Sequence, residues 1–291
     1  MGTTIVSLHV SGWFGEREIE LAFPDTWEVM ESRMAGHDKP ALTDEEMREA
    51  LRKPFGTPRL SELAKSKKKA IILFDDLTKP TPASRIIPFV LEEMHAGGIT
   101  DDQIRFVNAL GTHRNMTYEE MAAKLGADIV EKYPVYHHNV YENLVELGNT
   151  SNGTPVLVNR EYISCDLRVG IGGILHHAKA GFGGGGKIVI PGVAGMKTIA
   201  YHHGKMGSHN NAKNGRVDNN PYRLDLEEAA RIAGLDFKVD CVLNNRREVV
   251  GLFAGDFVAE HRAGVELARK IYETKMMKDM DIVVNNGYPT E

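Results

Sequence analysis

Lys69-Ala70-Ile71-Ile72-Leu73-Phe74-Asp75-Asp76-Leu77-Thr78-Lys79-Pro80-Thr81-Pro82 sets an unbroken apolar run directly before a polar, proline-rich loop. The apolar part shows no alternation, which predicts a strand buried on both faces. A helix is expected next, from about Ser84 to His95, with Pro88 in its first turns, where proline is tolerated, and Gly97-Gly98 closing it. The unit then repeats. Ile104 to Leu110 is a second apolar run, Gly111-Thr112-His113-Arg114 is its loop, and Thr117-Tyr118-Glu119-Glu120 is a capping box for another helix. Cys165 to Leu175 gives a third buried strand. Strand, polar loop and helix in repetition predict parallel α/β architecture.

Outside these units the chain adds hairpins. Residues 4–10 and 17–23 alternate apolar and polar around Gly12 and Gly15, residues 144–159 turn at Asn152-Gly153, and residues 237–243 and 248–253 form a third pair. Thr43-Asp44-Glu45-Glu46 caps a helix to about Arg52, and a second short helix follows Pro58. Residues 194–206 are expected to be helical despite Gly195, and Pro221 starts a helix that ends at Gly234. A long amphipathic helix is expected from about Phe257 to Met276, and Asp281 to Asn285 reads as one more strand. The expected fold class is α/β: a Rossmann-like, largely parallel sheet flanked by helices, with added β-hairpins.

The 291 residues, 42% hydrophobic and 26% charged, suffice for a full core. A net charge of -5 and the lack of a basic patch argue against a nucleic-acid partner. Two distant cysteines, Cys165 and Cys241, argue for a reducing compartment. With no signal peptide and no apolar run of membrane-spanning length, the expected location is cytoplasmic, with no membrane partner.

Twelve histidines stand out; eight fall between His113 and His209, in part as the adjacent pairs His137-His138, His176-His177 and His202-His203. The second pair opens His176-His177-Ala178-Lys179-Ala180-Gly181-Phe182-Gly183-Gly184-Gly185-Gly186-Lys187. Consecutive glycines pack nothing and cost conformational entropy, so their expected use is close approach of backbone N–H groups to an anion. Gly181 to Lys187 fits the start of a phosphate loop, but Ile188 stands where a magnesium-binding Ser or Thr is required. If the three buried strands are neighbours, their loops converge on one crevice at the carboxyl ends. That crevice would unite Asp75, Asp76, Thr78 and Lys79 with Thr112, His113 and Arg114 and with His176, His177, the glycines and Lys187, a set suited to a phosphorylated cofactor and to proton transfer on a small anion. Asp75 is expected to cap its loop and Asp76 to face inward. His176 is expected to point into the core, opposite His177, and His137-His138 to lie at the surface or behind the site. His209 is expected to be solvated, Arg114 to hold phosphate or pair with an acid, and Met276, Met277 and Met280 to pack in the core or at a helix end.

Asp76-x-Thr78-Lys79-Pro80-x-Pro82, Gly111-Thr112-His113-Arg114-x-x-Thr117 and His177-x-x-Ala180-Gly181-Phe182-x-Gly184-Gly185-x-Lys187 occur in this order, followed by Pro191-Gly192 and a helix ending in His203. Together they resemble the nickel-pincer lactate racemase family, and the similarity runs from Gly56–Lys67 to Gly287-Tyr288-Pro289. The resemblance implies nickel held by one carbon and two sulfurs of a pyridinium-3,5-bisthiocarboxylic acid mononucleotide. It implies Lys187 as the covalent tether and His203 as the fourth nickel ligand. Asp76, Thr78, Gly185 and Gly186 are implied at the cofactor. It further implies that a 2-hydroxy acid gives up hydride from C2, with His113 and His177 serving as acid and base on opposite faces and Lys79 beside the substrate. His202 is the alternative to His203, since only one of two adjacent helical residues faces a cleft well.

Two departures follow. Lys79 stands where most members carry Arg, so the planar fork for a carboxylate is lost. The family also has a C-terminal domain that closes the cleft; residues 1–278 are expected to be the cofactor-binding and catalytic domain, and 279–291 the first strand of that second domain. The implied partners are a small 2-hydroxy acid and, transiently, the cofactor-making enzymes. Two other readings stand beside this one. A nicotinamide-nucleotide-dependent oxidoreductase would want Gly-x-Gly-x-x-Gly after the first strand and an acid for the ribose, and neither is present. A non-catalytic nucleotide-binding module would bind without turnover.

Overall fold

The computed structural model describes residues 2–10, 13, 15 and 17–285. Gly12 and the Gly287-Tyr288-Pro289 part of the resemblance lie outside them. An exposed ribbon, β1 (Thr3–Val10) and β2 (Arg17–Pro24), comes first, paired from Thr3↔Pro24 to Val10↔Arg17. Helix α1 (Asp44–Arg52) starts on the expected capping box, with the Thr43 N–H donating to Glu46 at 2.7 Å. Helix α2 (Leu60–Leu63) leads into β3 (Ala70–Phe74), α3 (Ala83–Ala96), β4 (Ile104–Asn108), α4 (Tyr118–Leu125), α5 (Ala127–Lys132) and β5 (Val135–His137). The hairpin β6 (Leu144–Asn149) and β7 (Pro155–Asn159) is followed by α6 (Arg160–Ile163) and β8 (Leu167–Gly173). Two-residue strands β9 (His176–His177) and β10 (Gly181–Phe182) open the glycine stretch. Helices α7 (Met196–Tyr201) and α8 (Pro221–Ala233), strands β11 (Phe237–Leu243) and β12 (Val249–Gly255), and α9 (Ala259–Tyr272) complete the described chain.

The main sheet has the order β12-β11-β8-β3-β4-β5 and is parallel except for β12, which is antiparallel to β11. The period of two along β3 explains why its sequence shows no polar alternation. Ala70, Ile72 and Phe74 enter one core with residues of α1 and α3, whereas Ile71 and Leu73 enter a second core with Leu226, Ala229 and Ala230 of α8. Helices therefore cover both faces, and β3, β4 and β8 are adjacent with their carboxyl ends on one side.

The structure departs from the sequence expectations in four segments. Residues 194–206 are not one α-helix: Gly195 is extended, α7 starts at Met196, and residues 202–206 widen into a π-turn. The terminal helix stops at Tyr272, where the chain turns to pair with residues 34–36: Gly36 N–H donates to Ile271 O at 3.0 Å and Ala35 N–H to Glu273 O at 2.7 Å. Residues 281–285 form no strand; Ile282, Val283 and Val284 are exposed and lack a neighbouring strand among the described residues. Met276 and Met280 are exposed rather than packed.

Among the described residues, three histidines are buried and structural. His138 Nε2 donates to Ala194 O at 2.9 Å, His202 Nε2 to Tyr222 O at 2.9 Å and His261 Nε2 to Gly183 O at 2.8 Å. His138 is thus a core residue, not a surface one. Burial holds all three below the usual value of 6.5, His202 at about 4. The unfolded chain takes up these protons below pH 6.5 while the folded chain does not, so stability is retained above 6.5 and lost as pH falls. The melting temperature is expected to drop between pH 7 and pH 4, with each excluded proton contributing up to about 1.4 kcal/mol per pH unit. Thermal melts across that range check this; a flat profile would contradict it.

Candidate active site

A cavity of about 480 Å³ opens at the carboxyl ends of β3, β4 and β8, lined by Asp76, Lys79, His113, His177, Lys187 and His203 among others. The fold thus brings these six expected side chains to one cavity, while Thr78, expected there too, is not among its lining residues. Asp76 is 5% exposed and occupied on both oxygens: Oδ1 accepts the Thr78 N–H at 2.8 Å, and Oδ2 lies 2.7 Å from His113 Nδ1. Burial opposes ionisation of Asp76, but the His113 and Thr78 hydrogen bonds outweigh it and bring the carboxyl down to about 2. An ionised Asp76 fixes the His113 tautomer: Nδ1 carries the proton and Nε2 the lone pair. Asp76 therefore both caps its loop and orients a histidine.

His177 is set the opposite way. Its Nδ1 accepts the Lys179 N–H at 3.2 Å and the Ala180 N–H at 3.0 Å, so its own proton sits on Nε2. Burial, then the cations Lys187 and Arg223, push its pKa down to about 2. His113 is arranged as a base and His177 as a hydrogen-bond donor. For His177 to take a proton at Nε2, its N–H must move to Nδ1 and the two amides must let go.

The Asp75–Pro82 loop is held by a lysine that gives no signal in the sequence. Lys124, fully buried at the end of α4, reaches Asp75 Oδ1 at 2.6 Å, Lys79 O at 2.9 Å and Asp76 O at 3.1 Å. Asp75 also accepts the Thr81 hydroxyl at 2.6 Å, so it is a loop anchor as expected. Lys79 Nζ rests on the Thr78 hydroxyl at 2.8 Å.

The glycine stretch is not an open N–H cradle. Its carbonyls turn inward: fully buried Arg223 of α8 donates to Ala180 O and Gly184 O, each at 3.2 Å, and to Phe182 O. The Gly185 N–H donates to Asp240 Oδ2 at 2.5 Å. Gly185 and Gly186, expected at the cofactor, lie buried behind the cavity wall, where a Cβ would meet Phe257 O at 2.8 Å and Ala230 Cβ at 3.0 Å. Gly183 and Gly184 line the cavity instead. The glycines are needed because the turn is packed tightly on both sides: Gly184 has φ +77, and a Cβ there would stand 2.6 Å from Asp240 Oδ2. Beneath it, Lys238 pairs with Asp240, and Glu260 is buried beside them with its pKa raised, first by burial and then by Asp240.

The π-turn separates the adjacent pair: His202 goes into the core, and His203 lines the cavity with Nε2 at 2.9 Å from the Tyr222 hydroxyl. His176 is exposed and stacks on Phe182 at 5.0 Å between centroids, so it lies outside the core. His209 is exposed, and Arg114 pairs with Glu120 at 2.5 Å on the surface.

These features define an α/β protein with a crevice at the strand carboxyl ends, lined by histidines, lysines and carboxylates. The family model "Lactate racemase N-terminal domain" matches residues 14–215, and the chain belongs to that family. It is 33% identical over 264 residues to a lactate racemase of Lactiplantibacillus plantarum, covering 89% of this chain and 62% of that protein. A lactate racemase of Thermoanaerobacterium thermosaccharolyticum is 32% identical over 286 residues, covering 96% and 66%. The lactate racemase apoprotein structure from the same organism superposes with a TM-score of 0.75 at 29% identity, covering 91% of this chain and 63% of that one. A crystal structure of a Thermotoga maritima protein shares the fold, with a TM-score of 0.65 at 24% identity over 79% of this chain and 60% of that one. The chain therefore spans a little under two thirds of the length of these relatives. Among the described residues no helix is long and apolar enough to cross a membrane.

Proposed function

We propose that this chain carries the cofactor and acid–base site of a racemase of lactate or a closely related 2-hydroxy acid, and that it uses nickel in a pincer nucleotide tethered to Lys187. The observation that carries the reading is the convergence of an Asp76-oriented His113, His177, Lys79, Lys187 and His203 on one cavity, in a member of the lactate racemase N-terminal domain family. The residues fit such a group. A ligand that brings three donors of its own needs one from the protein, and His203 lines the cavity with Lys187. The described residues hold no cluster of three or more His, Cys, Asp or Glu able to take a metal alone. When bound, the pincer would supply the hydride acceptor.

The chain's own residues would do the rest. Lys79 supplies positive charge for the substrate carboxylate. His113 Nε2 takes the hydroxyl proton, and Asp76 stabilises the imidazolium that results. His177 serves the opposite face and must exchange its proton between ring nitrogens to do so. Chiral analysis of enantiopure lactate incubated with nickel-loaded protein tests the proposal. Racemisation that disappears in Lys187→Ala supports it; protein with bound nickel that leaves the enantiomer untouched would refute the substrate.

A further inference from the structure

Tyr222, the second residue of α8, is 1% exposed and touches the groups that surround His203. Its ring centroid lies 4.1 Å from that of His202, 5.4 Å from that of His203 and 6.1 Å from that of His177. Lys187 Nζ stands 6.0 Å from the same centroid. Its hydroxyl is 2.9 Å from His203 Nε2. The direction of that bond follows from the phenol. Tyr222 is buried, and among the described residues His203 Nε2 is the one hydrogen-bond partner of its hydroxyl, so the phenol proton has that nitrogen as its acceptor. A neutral imidazole has a single N–H, which then sits on Nδ1, so Nε2 meets Tyr222 with its lone pair. The phenol therefore donates. A metal would bind through that same lone pair, which cannot serve a phenol proton and a cation together.

We infer that Tyr222 is a removable cap on His203 Nε2, a positioning residue that keeps the imidazole in its metal-ligating tautomer and makes an incoming cation displace its hydroxyl. The inference rests on the proposed role of His203 as a metal ligand. A burial role alone would be met equally by phenylalanine, because the ring contacts with His202, His203 and His177 need no hydroxyl. The cap works against a bare aquo cation, which must break the hydrogen bond for one protein donor. It is overcome by a metal that arrives with donors of its own.

The test compares the cofactor-free chain with Tyr222→Phe. Diethyl pyrocarbonate reacts at an unprotonated imidazole nitrogen, and peptide mass gives the rate at each histidine. The rate at His203 is expected to rise about fivefold in Tyr222→Phe, the value of one ordinary hydrogen bond, while exposed His209 keeps its rate. Titration with nickel chloride alone is read as the difference from a matched protein carrying His203→Ala. The His203-dependent part is expected to tighten by a similar factor. An unchanged or slower His203 rate in folded Tyr222→Phe overturns the cap. If that variant fails to fold, nitrogen-15 spectra of wild-type His203 decide: a protonated Nε2 overturns the cap, and a hydrogen-bonded lone pair supports it. A faster His203 reaction with no His203-dependent nickel binding in either protein would uphold the cap and refute His203 as ligand.

Discussion

His113→Ala is expected to lower kcat/KM for lactate racemisation by about 10³, in the middle of the range for removal of a positioned general base. The loss must be equal in both directions, because two enantiomers in water have the same free energy. The expectation comes from the Asp76–His113 pair at 2.7 Å: a carboxylate held at about 2 stays ionised at any working pH and keeps the His113 proton on Nδ1. Asp76→Asn keeps the shape but removes the charge that favours the imidazolium, so its loss is expected to be smaller, about 10- to 100-fold. Chiral chromatography of both reaction directions measures both variants. An Asp76→Asn protein with full activity, beside an inactive His113→Ala, would show that the pair is not the base.

Arg223→Met is expected to be the most destabilising single change in the site's support. The guanidinium is fully buried and serves the carbonyls of Ala180, Phe182 and Gly184, with Glu227 3.8 Å away. Burial lowers its pKa only to about 10, so it is charged at neutral pH. Methionine fills part of the volume but leaves these carbonyls without their donor and removes a positive charge beside Glu227, which keeps its hydrogen bonds from Arg262 at 2.8 and 2.9 Å. The expected cost is about 3–5 kcal/mol, as for one partner removed from a buried charged network. Urea unfolding measures it. A loss below about 1 kcal/mol would mean that the carbonyls find other donors.

Much of this arrangement was legible in the chain. The strand–loop–helix units at residues 69–95 and 104–125 follow from apolar runs without alternation and from capping boxes, both local features. The convergence of Asp76, His113 and His177 follows once three parallel strands are taken as neighbours. What stayed hidden depends on tertiary packing. Lys238 and Asp240 alternate with apolar residues, the pattern of a strand with one wet face, yet both are fully buried because β11 lies inside the sheet. Arg223, Lys124 and Glu260 sit on amphipathic helices, where charge ordinarily marks solvent. The glycine stretch read as an anion cradle because glycine permits close backbone approach. The structure shows the approach, but made by Arg223, Asp240 and His261 of this chain. The π-turn at His202 has no sequence signature, although it decides which histidine of the pair reaches the cavity.

The central claim is the lysine-tethered nickel site, and the most direct measurement is peptide mass together with metal content, on folded protein co-produced with nickel and the cofactor-making enzymes. The account predicts one covalent adduct, on the Lys187 peptide, with nickel stoichiometric with the chain, and an adduct that persists while nickel is lost in His203→Ala. An unmodified Lys187 peptide and nickel-free folded protein would contradict it.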